Sequence, residues 1–154
     1  MSKDYNVFGG WLKVFQGYNV FFIVGEIVFS VFIIKNMQSV PDAIPARIFF
    51  VFDAVAACFF ALWLIKGVTH QSGDTPNKMV KILLWSLYAN VGLITLGYLS
   101  GYFLSVPEGL NITAKDAMKV IGKAAMPFVF WSAYFKQSDR VKAYYGQNAN
   151  LPFL

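Results

Sequence analysis

Residues 18–34 read YNVFFIVGEIVFSVFII and residues 48–65 read IFFVFDAVAACFFALWLI, and these two stretches decide the fold. Each approaches the roughly 20 apolar residues that a helix needs to cross a bilayer. Each contains a single charged residue, Glu26 in the first and Asp53 in the second. An ionisable group at bilayer depth costs about 3 kcal/mol or more, so it faces the protein interior and has a partner or a function. The two carboxylates are therefore the first candidates for a functional site.

Two further stretches predict membrane-spanning helices. Residues 82–106 contain no charged residue. Residues 114–135 are less apolar, because four charged residues crowd their first half: Lys115, Asp116, Lys119 and Lys123. Short connecting loops and three sheltering neighbours favour a fourth span there. We expect one membrane domain over residues 1–154, with helices at about 14–35, 46–66, 79–103 and 114–145.

The composition also indicates an integral membrane protein. The 154-residue chain is 57% hydrophobic, 18% aromatic and only 14% charged, and its mean hydropathy is +0.53. A soluble domain carries about 25% charged residues, so this chain lacks the polar surface that water requires. The expected partner of most of its surface is the lipid bilayer, and aromatic residues are typical of the bilayer interfaces.

Cysteine and histidine content limits the chemistry. Cys58 is the only cysteine and His70 the only histidine, which excludes a disulfide framework and a Cys/His metal site within one chain. We expect no cofactor. The net charge of +5 comes from basic residues that flank the apolar stretches, so it indicates membrane topology rather than nucleic-acid binding.

Lysine and arginine positions predict the orientation. With both termini cytoplasmic, the inner side holds eight basic residues: Lys3, Lys13, Lys66, Lys78, Lys81, Lys136, Arg140 and Lys142. The outer side then holds five: Lys35, Arg47, Lys115, Lys119 and Lys123. The positive-inside rule favours this arrangement. The expected fold is all-α, an integral membrane four-helix bundle with N-in, C-in topology.

Four polar residues are expected within the membrane, three of them at a similar depth. At ~1.5 Å per residue, Glu26, Asp53 and Lys123 fall in one layer and Asn90 lies deeper. One interpretation is a buried carboxylate–lysine pair that fixes helix register or binds a basic residue of a partner helix. The other is a proton- or cation-responsive site, because two neighbouring carboxylates cannot both ionise cheaply at low dielectric. The sequence leaves both open.

Enzyme motifs are not found in the sequence. It has no HExxH, no GxSxG and no glycine loop for phosphate, and no histidine near a candidate nucleophile. We therefore expect a non-enzymatic accessory or assembly subunit, with another membrane protein or a second copy as partner. The alternative is a small proton- or cation-coupled transporter or channel component that uses Glu26, Asp53 and Lys123.

Two motifs at opposite ends of the chain suggest a family. Residues 9–12 read GGWL, and residues 131–142 read WSAYFKQSDRVK. Together they resemble the YdgK-like group of small bacterial inner-membrane proteins, a domain of unknown function. The resemblance implies four helices and a multi-pass location in the bacterial inner membrane, and it implies no activity. Departures are Ala133, where the group usually has proline, and residues 144–145, where it has Thr-Phe.

Three residues in or beside these motifs are expected at the cytoplasmic interface. Arg140 and Lys142 follow the last apolar stretch and would lie among lipid headgroups. If the two motifs share a role, Trp11 and Arg140 lie together on that side. There they would anchor the bundle or form a docking surface.

Overall fold

The described part of the chain is helical. The structure, a computed structural model, describes residues 8–36, 44–99 and 113–146, and these contain helices and no strand. The helices are α1 (Trp11–Asn36), α2 (Ile44–Val68), α3 (Thr75–Leu99), α4 (Ala114–Gln137) and α5 (Asp139–Tyr145). Within this part of the chain, α1, α2 and α3 are long and apolar enough to cross a membrane. The predicted all-α fold is thereby confirmed for the described residues, and three of the four predicted spans have the length and composition of membrane-spanning helices.

Local sequence accounts for several helix bounds. Gly10 precedes α1 with a left-handed φ of +55°, a conformation that costs glycine little. Pro76 lies in the first turn of α3, where its missing N–H removes no helical hydrogen bond. Gly146 ends α5 with φ +105°, and its N–H donates to the Lys142 carbonyl at 2.9 Å. Positions 100–103, the expected end of the third helix, lie outside the described residues.

The fourth helix differs from the expected 114–145. It is interrupted at Ser138, whose φ of −72° and ψ of 123° are extended, and α5 begins at the next residue. The break lets α5 turn onto the ends of the other helices instead of continuing along α4. α4 runs through Pro127 without ending. It is not among the helices with the composition of a membrane span, because lysines occupy its first half.

Consecutive long helices pack side by side, α1 on α2, α2 on α3 and α3 on α4. The main hydrophobic core lies where α1 and α3 begin and α2 and α4 end, which we call the core end. Its buried residues are Leu12, Phe15, Leu64, Val68, Met79, Ile82, Leu83, Trp131, Phe135, Val141 and Tyr145. Because both ends of the helical chain contribute, the core end joins the first helix to the last.

The short helix α5 closes the core end through hydrogen bonds to the α2–α3 loop. The Tyr145 hydroxyl donates to the Val68 carbonyl, and the Gln71 side-chain amide donates to the Tyr144 carbonyl at 3.0 Å. Burial, followed by the neighbouring tyrosines, raises the pKa of the Tyr145 hydroxyl. Thr75 also fixes this loop, since its hydroxyl donates to the His70 carbonyl at 2.6 Å.

Helices α1 and α4 meet differently from the consecutive long helices. Their backbones stay apart, and aromatic rings bridge them near the core end. Phe15 packs edge-on against Trp131 and Phe135, with ring centroids 4.7 and 5.1 Å away, and Trp11 packs against Phe130 at 6.1 Å. We call this boundary the α1/α4 seam. Away from the core end, large apolar side chains such as Phe21, 79% exposed, point outward, as lipid-facing residues do.

Candidate functional site

A cavity of about 250 Å³ lies between the four long helices, next to the core end. Each of α1, α2, α3 and α4 contributes to its wall. Most lining atoms are apolar, and the polar members are Tyr18, Asn19, Glu26, Ser86, Asn90 and Lys123. Polar groups converging in an otherwise apolar cavity are typical of a binding site.

The inward face of α1 explains which of its residues reach the cavity. Positions 12, 15, 19, 22, 26 and 30 follow the helical repeat of 3.6 residues, and all are buried or half-buried. The first two enter the core, and Asn19, Phe22 and Glu26 line the cavity. Asn19 is only 4% exposed, and its amide donates to the Phe15 carbonyl at 2.8 Å. This spacing places the polar side chains of Asn19 and Glu26 on the same face of α1, toward the cavity.

The two intramembrane carboxylates lie near each other but are placed differently. Glu26 is half-buried and lines the cavity, whereas Asp53 is half-buried on α2 and is not a lining residue. They are close enough to interact electrostatically. Among the described residues, neither carboxylate lies within 4 Å of a lysine or arginine nitrogen. The carboxylate–lysine pair expected as one interpretation is thus not formed within that part of the chain.

Lys123 and Asn90 line the same cavity from α4 and α3. Lys123 is exposed rather than buried, because the separation of the α1 and α4 backbones leaves its side of α4 uncovered. Tyr18, across the seam on α1, is 38% exposed. The cavity therefore opens at the α1/α4 seam. The amide oxygen of Asn90 is buried, with no hydrogen-bond partner among the described residues.

The two sequence motifs lie together at the core end. A Cβ placed on Gly10 would lie 3.2 Å from the guanidinium of Arg140, so the two residues are in contact. Leu12 and Val141, one from each motif, are both fully buried in the core. Each motif thus supplies part of one packing interface.

No comparison assigns the chain to a family. No family model matches it, and neither a curated protein nor a solved structure matches it. The resemblance to the YdgK-like group stays a prediction. The contact between the motifs gives their residues a packing role that needs no family.

The residues expected at the cytoplasmic interface all lie at the core end. Trp11 is 55% exposed, Arg140 is half-buried and Lys142 is exposed. The Lys142 ammonium lies 3.7 Å from the Asp139 carboxylate, one helical turn earlier. Such exposed pairs contribute little to stability. The core end thus carries one exposed tryptophan and two basic side chains at its surface.

Sequence reasoning missed Tyr18, Asn19 and Ser86, which also line the cavity. The signal for Asn19 was its spacing of seven residues from Glu26, which puts both on one helix face. Ser86 carried a weaker signal, four residues before Asn90 on α3. Among residues 8–36, 44–99 and 113–146, no three of His, Cys, Asp and Glu lie close enough to hold a metal ion.

Proposed function

We propose that this protein is a non-enzymatic accessory or assembly subunit of a bacterial inner-membrane complex. In this proposal α4 crosses the membrane with the other long helices, completing a four-helix bundle with N-in, C-in topology. The partner is a helix of another membrane protein that covers the α1/α4 seam. The observation that carries the proposal is the polar cavity that opens there.

The cost of charge in lipid supports a partner at the seam. Lys123 is exposed in the isolated chain, and a lysine facing lipid costs a few kcal/mol, about 3 at the helix centre. A helix laid along the seam would remove Lys123 from lipid. It could also offer hydrogen bonds to Asn90 and a counter-charge to Glu26. Polar residues between transmembrane helices commonly stabilise such contacts.

Site-specific photo-crosslinking in the native membrane tests this proposal. Phe130 at the seam is 54% exposed, and Phe59 on α2 is 58% exposed, so they form a matched pair. Each is replaced by a photoreactive phenylalanine derivative, and the adducts are identified by mass spectrometry. We expect one stoichiometric protein adduct from position 130 and lipid adducts from position 59.

Each other result has a defined meaning. A cross-link from position 130 to a second copy of the chain would replace the hetero-complex with a homo-oligomer. Lipid adducts alone from both positions, in membranes that retain native partners, would contradict the subunit proposal.

A second candidate is a proton- or cation-coupled transporter or channel component. It is favoured by one observation, the placement of Glu26 in a shared cavity with Lys123 and within electrostatic range of Asp53. Purified protein in liposomes would then show flux driven by a pH gradient. Flux should fall in Glu26→Gln and Asp53→Asn and remain in Asp74→Asn, a loop carboxylate. Equal flux in liposomes with and without the protein would exclude this candidate.

A further inference from the structure

Another concave surface lies away from the α1/α4 seam, between α2 and α3 at the core end. It is a groove of about 580 Å³, within the size range of small-molecule sites. Its side walls carry Trp63, Lys66 and His70 from α2 and the following loop, and Lys78, Lys81 and Trp85 from α3. We call it the lysine–tryptophan groove.

Helical spacing places these side chains on the same face of each helix. Lys78, Lys81 and Trp85 are spaced i, i+3 and i+7 along α3, and Trp63 and Lys66 are spaced i and i+3 along α2. In both helices the lysines lie nearer the connecting loop than the tryptophan does. At ~1.5 Å per residue, the tryptophans lie about 5 Å further along the helices from their neighbouring lysines. The groove is therefore basic at its loop end and aromatic further in.

The floor of the groove depends on a close approach of the two helices. A Cβ on Gly67 would clash with the Met79 Cε atom, so the methionine side chain covers the glycine. Met79 and Ile82 are buried and belong to the core. The floor is thus apolar and fixed by core packing, while the lysines and tryptophans stand at its edges.

The positive charge of the groove indicates which kind of ligand it would bind. Its three lysines are exposed, and no carboxylate within 4 Å pairs with them in the described part of the chain. No acidic residue lines the groove, and the closest in sequence is Asp74, exposed in the loop. Three ammonium groups that find no carboxylate among the described residues, above an apolar floor, fit a phosphate that carries acyl chains.

We propose that the lysine–tryptophan groove is a binding site for an anionic phospholipid. The headgroup phosphate binds Lys66, Lys78 and Lys81 at the loop end, and the acyl chains run past Trp63 and Trp85. Basic pockets between transmembrane helices bind anionic headgroups in this way, and tryptophan belongs at the same interface. The proposal is independent of any partner at the α1/α4 seam.

Fluorescence quenching in lipid nanodiscs tests the site. The protein is placed in phosphatidylcholine nanodiscs doped with a few per cent of phosphatidylglycerol whose acyl chains are brominated. Bromine quenches tryptophan at short range, so we expect stronger quenching than with the same fraction of brominated phosphatidylcholine. The excess should disappear in the Trp63→Phe/Trp85→Phe variant, which retains Trp11 and Trp131. Equal quenching of the wild-type protein by the two brominated lipids would overturn the proposal, whatever the variants do.

A matched pair of charge variants separates a site from general attraction. Lys66→Gln/Lys78→Gln/Lys81→Gln and Lys13→Gln/Lys35→Gln/Lys115→Gln both lower the net charge from +5 to +2. Each lysine near an anionic surface is worth roughly fivefold in affinity, so the groove variant should bind phosphatidylglycerol roughly 100-fold more weakly. The control variant should bind like wild type. An equal loss in both variants would overturn the proposal.

Competition with a soluble phosphate compound distinguishes a lipid site from a site for free phosphate. Glycerol phosphate at millimolar concentration should leave the lipid-specific quenching unchanged, because it lacks acyl chains to occupy the groove floor. Full competition by glycerol phosphate would show a site for soluble phosphate and would contradict a lipid site.

Discussion

Glu26 is half-buried and has no basic partner within 4 Å among the described residues. Its carboxylate has lost water without gaining a counter-charge, which destabilises the folded state. We expect Glu26→Gln to raise the free energy of unfolding in detergent by on the order of 1 kcal/mol at pH 8. Thermal unfolding followed by circular dichroism measures this, with Asp74→Asn as the exposed control. A lower melting temperature in Glu26→Gln would instead indicate a stabilising ion pair.

Tyr145 offers a second test at a single residue. Tyr145→Phe removes the hydrogen bond from its hydroxyl to the Val68 carbonyl and should cost about 1 kcal/mol of unfolding free energy. Tyr144→Phe is the adjacent control and should cost less, because the Tyr144 contact to the loop uses its backbone carbonyl. Chemical denaturation of the three proteins side by side gives the values. Equal losses in both variants would contradict a specific role for the Tyr145 hydroxyl.

The same residue makes stability depend on alkaline pH. Burial raises the pKa of Tyr145 above its ordinary value near 10. Below pH 10 both states hold the proton, and above it the unfolded state releases the proton first, so folded stability falls as the pH rises. The advantage of wild type over Tyr145→Phe should therefore shrink above pH 10. A constant difference from pH 8 to pH 11 would contradict this.

For single residues, the sequence predicted which polar side chains matter better than it predicted how buried they are. Glu26 and Lys123, which were expected at one depth, share a cavity with Asn90, which was expected deeper. Burial was harder to predict, because it depends on how far apart the helices stand. Lys123 is exposed because α4 lacks a close neighbour on that side. The separation between α1 and α4 cannot be derived from residue spacing along a single helix. Asp53 has a depth similar to that of Glu26 but lies outside the cavity wall.

The start of α1 packs against α5, so a substitution there affects both helices. Gly10 has a left-handed φ of +55° and its α-carbon faces Arg140 of α5, whereas Gly17 lies in helical backbone with open space around it. Gly10→Ala should lower the unfolding free energy by roughly 1 kcal/mol through backbone strain and crowding. Gly17→Ala should raise it by about 0.5–1 kcal/mol, because alanine restricts the unfolded chain. Thermal unfolding of both variants checks the opposite signs, and two shifts of the same sign would contradict this account.

Among the elements, hydropathy predicted α1 and α2 to within a few residues at each end. It could not predict the break at Ser138, because no proline or glycine marks that position and the interruption is set by the docking of α5. The start of α3 came four residues earlier than expected, at Thr75 rather than residue 79. The Thr75-Pro76 pair marks that start, since proline is suited to a first helical turn.

At the scale of the whole molecule, the hydrophobic core is concentrated at one end of the helices, and this has a direct consequence for stability. Phe15 is completely buried at the core end, and Phe21 is 79% exposed on the same helix. Phe15→Ala should lower the unfolding free energy by about 3–5 kcal/mol, because it leaves a cavity among Trp131, Phe135 and their neighbours. Phe21→Ala should change it by less than about 0.5 kcal/mol. Denaturation in mild detergent compares the two, and similar losses would show that packing is spread along the helices instead.

The position of the core also has a consequence for how the protein is made. Leu12 and Phe15 leave the ribosome well before Val141 and Tyr145, yet all four belong to one cluster. While α1, α2 and α3 enter the bilayer, their shared core still lacks its closing residues. The core of the nascent chain therefore stays incompletely packed until α5 has been synthesised. A chain that stops short of α5 would present unfilled apolar surface to the proteases that survey the membrane.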